Sequence, residues 1–252
     1  MNPLRLATGN HKPGTGLGCA MNVISWENGD TTITDFPGCS DMMLSCVVQV
    51  VNDTICRHSE HRRLCATCSI AVLTLAHRTV GTGAPCTDAR RRLWVRLALD
   101  EARSVEQHHQ DAKPLNDVTE GWLHGSVGSS TLLGITHDAD SFANFSDSYD
   151  EHFAKNAARA GALFAAAAST FSFADSAPLL ARHAVPAVTA AANAVRASKG
   201  LHLSPAEAAA GDPLLVRAHK LIDRYERYTG TTPVPVPAAV TQHAITRMLV
   251  VA

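Results

Sequence analysis

Cys56, His58, Cys65 and Cys68 could supply a metal with four ligands from within thirteen residues. Zinc takes four nitrogen or sulfur donors in a tetrahedron, and C-x-x-C is its usual two-ligand knuckle. Strong zinc motifs join two such knuckles across about a dozen residues or more. Here one knuckle, Cys65-Ala66-Thr67-Cys68, falls inside an amphipathic helical pattern whose apolar stripe Cys68 continues. The spacing therefore favours thiols packed as small hydrophobes, with zinc as the alternative. Cys19 is the candidate nucleophile. It follows a Gly-rich stretch and stands where a helix would open, and a helix N-terminus favours thiolate. Catalysis would need an imidazole beside it, and none of the thirteen histidines is marked for that role. A structural Cys19 is the plainer expectation.

The remaining polar clusters read less sharply. His137, Asp138, Asp140, Asp147, Asp150, Glu151 and His152 form an acidic stretch of the kind that holds calcium or magnesium. The calcium-loop pattern fails at Ala143 and Asn144, and the acids near Asp150 suit a helix start by themselves. Gly125-Ser126-Val127-Gly128-Ser129-Ser130-Thr131 lacks the lysine of a phosphate loop and reads as a flexible turn. The glycines at 14, 16 and 18 follow no strand-like run, so they are not a dinucleotide fingerprint. Arg90, Arg91, Arg92 and Arg96 could meet phosphates or an acidic partner. A solvated face pairing with Asp88 or Glu101 accounts for them more simply, and Trp94 alone gives no stacking platform.

The chain that must position these groups has 252 residues, 46% of them hydrophobic, 18% charged and 5% aromatic. That suffices for a buried core in one or two domains and is too apolar for wholesale disorder. The net charge of −1 does not suit a general nucleic-acid binder. No run of about 18 apolar residues appears, so no membrane span is expected. The first twelve residues lack the apolar core of a secretory signal. An odd count of seven cysteines argues against a disulfide framework. A cytoplasmic protein with reduced thiols is the expectation.

The apolar periodicity is helical. Residues 1–18 read as an extended lead. Cys19 to Trp26 forms a short helix closed by Asn28-Gly29, and Asp41 to Val51 forms a buried one. Ser59 is read as the cap of a helix running to Arg78, and Thr87 or Asp88 as the cap of one running to His108. Residues 111–149 form an irregular acidic connection, within which Asp117 to Leu123 could hide a helix. They separate a cysteine-containing helical domain, 19–110, from an Ala-rich helical region, 150–252. In the latter, Asp212-Pro213 opens the clearest helix in the chain. Leu214, Leu215, Ala218, Leu221, Ile222 and Tyr225 make one stripe, and Gly230 stops it. A proline-alternating stretch and an apolar-tailed final segment, Ala238 to Val251, follow.

One set of residues stands out: Gly18-Cys19-Ala20-Met21, then Trp26, Gly29, Asp35, Pro37 and Cys39, Val51-Asn52-Asp53, Arg63-Leu64 and Val80-Gly81-Thr82-Gly83. The set resembles an uncharacterised family of actinobacterial and actinobacteriophage proteins with an N-terminal Cys-x-Met segment and an Ala-rich helical C-terminal half. Leu215 to Tyr228 resembles the late amphipathic helix of that family. Asn22 departs from its usual Glu, and Cys65-Ala66-Thr67-Cys68 is no feature of it. The resemblance implies origin and architecture, and a host-cytoplasmic setting if phage-encoded; it implies no chemistry. Together the readings give an all-α multi-helix bundle that acts without catalysis, binding a protein partner or itself as a phage-type accessory factor. The alternative is a zinc-binding or cysteine-dependent enzyme using the Cys19–Cys68 region.

Overall fold

Asp41 shows how this sequence starts a helix. Its carboxylate accepts the amides of Met43 and Leu44 at 2.9 and 3.3 Å, satisfying two donors that have no partner within the helix. In the computed structural model, which describes residues 5–9, 17–56, 63–108, 112–132, 134, 162, 165–166, 169, 185–193 and 212–232, the fold is all-α. Among the described residues, helices with both ends placed include α1 (Ala20–Glu27), α2 (Met42–Thr54), α3 (Ala66–His77), α4 (Asp88–Arg103), α5 (Ala112–Leu123) and α6 (Pro213–Thr229). A 3₁₀ turn spans Glu106–His108, and residues 185–193 are helical. Among the described residues, β pairing is confined to two isolated bridges, Ala7 with Arg63 and Ser40 with Val80.

The chain divides into two compact units, Met1–Ala84 with Leu203–Ala252, and Pro85–His202. In the first, α1, α2 and α3 pack on one another, and α6 packs on α2 and α3. Their buried faces carry Met21, Ile24, Leu44, Val48, Val72, Leu75, Leu221 and Ile222. A buried polar chain ties them. Tyr225 of α6 donates to Asp41 Oδ2 and to the Thr82 carbonyl at 3.2 and 3.0 Å. Thr82 Oγ1 accepts the Asp41 amide, and Thr79 donates to Ser40. The loops meet so closely at Gly83 that a Cβ there would land on the Gly38 carbonyl oxygen. Its amide bonds the Cys39 carbonyl at 3.0 Å.

In the second unit α4 packs on α5. Arg103 bridges to Glu106, Asp117 and Glu120, and Arg96 to Glu120. Trp122 lies under the guanidinium groups of Arg91 and Arg92, whose carbons are 5.4 and 4.9 Å from its ring centre.

Several boundaries differ from the sequence expectation. The helix read from Ser59 begins at Ala66, with Cys65 as its cap. Residues 63–64 are drawn into extended pairing instead, where the Leu64 amide bonds the Leu6 carbonyl at 2.9 Å. The helix read through His108 ends at Arg103 and tightens into the 3₁₀ turn. The 111–149 stretch contains α5, longer than the hidden helix allowed for it. The units divide after Ala84 and His202, where composition places the changes at 110 and 149, because α6 joins the N-terminal core. The α6 boundaries match the reading: Asp212 caps it, Pro213 opens it, and Gly230 ends it at φ +68°. The Ser204 capping signal and the final segment from Ala238 lie outside the described residues. No helix of the described residues is long and apolar enough to cross a membrane.

Candidate metal centre

The start of α3 is fixed from three sides. Leu6 and Ala7 run beside Arg63 and Leu64, and the Leu6 amide bonds Ser69 Oγ at 3.0 Å. Asn52 of α2 holds the same strand, donating to the Ala7 carbonyl at 2.7 Å. The Asp53 carboxylate takes the Gly9 amide. These contacts deliver Cys65 to the N-cap of α3 and Cys68 to its first turn. Cys56 stands just past Ile55, the residue that ends α2.

The three sulfurs converge. Sγ of Cys56, Cys65 and Cys68 all lie within 4.8 Å of one another, Cys56 and Cys65 half-buried and Cys68 only 3% exposed. At a Zn–S length near 2.3 Å, a tetrahedral zinc separates its sulfurs by about 3.8 Å. A contraction of roughly an ångström therefore brings the trio to ligand spacing. The backbone is arranged for anionic sulfur. The Cys65 amide donates to Cys56 Sγ at 3.3 Å, and the Cys68 amide to Cys65 Sγ at 3.5 Å. Cys65 caps the N-terminus of α3, where the macrodipole favours negative charge. Burial opposes ionisation of Cys65. Hydrogen bonds from the amide and thiol of Cys68, the thiol of Cys56 and the amide of Thr67 outweigh it, and the pKa falls below the ordinary thiol value. Burial pushes the Cys68 thiol well up, reinforced by its hydrogen bond to Cys65 and the charge of Cys56.

The other sequence candidates are placed as follows. His58, the proposed fourth ligand, lies outside the described residues, as does the acidic stretch from His137 to His152. Cys19 caps α1 and is buried, its Sγ 3.4 Å from Asp35 Oδ1. Burial first, and the Asp35 charge second, raise its pKa to about 12. The thiol is held as a donor, the opposite of the ionised state a nucleophile needs. Asn22 accepts the Cys19 amide and donates to Asp35, so it completes this cap. Residues 124–128 turn back on α5, with the Ser126 and Val127 amides on the Gly121 carbonyl. Arg92 pairs with Asp88, as the sequence suggested, but Arg96 takes Glu120 and not Glu101. Arg91 bonds the Ser169 carbonyl.

Sequence reasoning named the three cysteines and read Cys68 as packed in the core, which its 3% exposure matches, but misplaced the helix start. At an N-cap the first cysteine of a C-x-x-C presents its sulfur to an amide of the first turn, as Cys65 does to that of Cys68. The pairing of Arg63 and Leu64 with residues 6–7, far off in the chain, decides the helix start, and no local signal carries it. Comparison with protein-family models, curated proteins and solved structures found no match to this chain.

Proposed function

We propose that this protein is a non-enzymatic helical binding protein whose N-terminal unit is locked by one thiolate-ligated zinc ion. The observation that carries the reading is the convergence of Cys56, Cys65 and Cys68 at the N-terminus of α3, with backbone amides on two of the sulfurs. Three soft sulfur donors select a thiophilic metal over magnesium or calcium. Three thiolates also cancel more than the dication's charge, which weakens it as a Lewis acid and suits a structural role. The ion would join the end of α2 to the start of α3. His58 is the sequence's candidate for the fourth donor. Metal binding would then add directly to the stability of this unit. The exposed Phe36, Ile70, Val216 and Tyr228 of the same unit offer apolar side chains to the protein partner or second copy that the sequence suggests.

The test is zinc uptake by the reduced chain, followed by native mass spectrometry. One zinc per chain is expected, lost in Cys56→Ser and Cys65→Ser and kept in Cys86→Ser, which alters an exposed thiol elsewhere. His58→Ala is expected to keep the stoichiometry and weaken zinc affinity. Zinc uptake unchanged by the Cys56 and Cys65 substitutions would contradict the reading.

A further inference from the structure

We propose that Cys65 and Cys68 are also an oxidisable pair that gates this centre. A low-molecular-weight disulfide such as oxidised glutathione would close them to a Cys65–Cys68 bridge and expel the metal. The proposal rests on the zinc reading above and assigns its regulation.

The geometry singles out this pair from the trio. Cys65 and Cys68 are the N-cap and third residue of one helical turn. That spacing puts their Cα atoms about 5–6 Å apart, inside the roughly 4.4–6.8 Å range of disulfides. Their sulfurs already lie within 4.8 Å. Exposure divides the roles. Cys65 is half-buried and sits at the helix end, where an incoming disulfide can reach it; Cys68 is 3% exposed and stands behind it. The Cys68 amide holds the Cys65 sulfur at that end. Cys56 approaches from the end of α2, its sulfur engaged by the Cys65 amide.

The exchange balances. The Cys65 thiolate attacks one sulfur of glutathione disulfide, a Cys65–glutathione bond forms, and the first glutathione leaves as thiolate. Cys68 then attacks the Cys65 sulfur, and the second glutathione leaves. Two protein thiolates are oxidised and one external disulfide is reduced. The zinc, left with Cys56 alone from the trio, dissociates, and protons from solvent restore Cys56 and the two glutathione thiols.

The test uses the full-length, reduced, zinc-loaded chain with oxidised glutathione under anaerobic conditions, with a chromophoric chelator reporting free zinc. Trypsin cleavage after Arg57, Arg62 and Arg63 separates Cys56 from the peptide that holds both Cys65 and Cys68. The expected result is one zinc released per intrapeptide bridge, with bridging at least ~10-fold faster in metal-free protein than in zinc-loaded protein. Cys68→Ser should halt at a mixed disulfide on Cys65, and Cys56→Ser should still form the bridge. Zinc retained after bridging, a bridge to Cys56, or no bridge at all would overturn the gate and leave the zinc reading standing. A reduced chain that takes up no zinc at the outset would fail the zinc reading itself, and the gate with it.

Discussion

At Cys19, burial and the Asp35 carboxylate move the thiol from 9.0 to about 12, and this has a consequence for stability. Below pH 9 the thiol is neutral in both the folded and the unfolded chain. Above it the unfolded chain loses the proton first, so stability falls as pH rises toward about 12. The slope is at most about 1.4 kcal/mol per pH unit. Denaturant midpoints measured from pH 8 to 11 should drop faster for the native chain than for Cys19→Ala, and parallel curves would refute the assignment. The same environment predicts that iodoacetamide at neutral pH labels Cys65 in the metal-free protein and leaves Cys19 unlabelled. Tyr225 offers a second residue-scale test. Tyr225→Phe removes the hydroxyl that donates to Asp41 and to the Thr82 carbonyl deep in the core. Equilibrium unfolding should show a loss of about 1–3 kcal/mol. Neither partnership was readable from the sequence. Tyr225 was visible only as one apolar member of a stripe, and Asp41 only as the start of a hydrophobic run.

Elements were legible where local chemistry decides them. Asp212-Pro213 and Gly230 bound α6 as read, because a cap, a fixed φ and a left-handed stop each act within one turn. The first helix and the Asn28-Gly29 turn were legible for the same reason, Gly29 taking φ +78°. The start of α3 was not, because extended pairing of residues 6–7 with 63–64 competes with the helical pattern and wins. The candidate site was therefore legible in its residues and illegible in its geometry. Gly83 makes the equivalent point about loops. Gly83→Ala should cost about 1–3 kcal/mol by overpacking against the Gly38 and Cys39 backbone, measured by thermal unfolding. A neutral substitution would show that these loops yield at little cost. Asn52, Asp53, Arg63, Leu64, Thr82 and Gly83 hold segments together through contacts with backbone groups.

Across the whole molecule the decisive feature is the return of α6 to the N-terminal helices, which places the cysteine trio in a unit built from both ends of the chain. Within that unit, Tyr225 of α6 is buried against Asp41 and Thr82. Zinc should therefore act on one unit. Hydrogen exchange with and without zinc should show slowed amides at the end of α2 and the start of α3, and unchanged amides in α4 and α5. At zinc concentrations 100 times Kd the added stability would be about 2.7 kcal/mol. Uniform protection across both units would contradict a local lock. The central claim concerns three sulfurs around one ion, and X-ray absorption at the zinc edge of the loaded protein reads that most directly. The account predicts three sulfur scatterers near about 2.3 Å with one lighter donor. A shell made only of oxygen or nitrogen would contradict it.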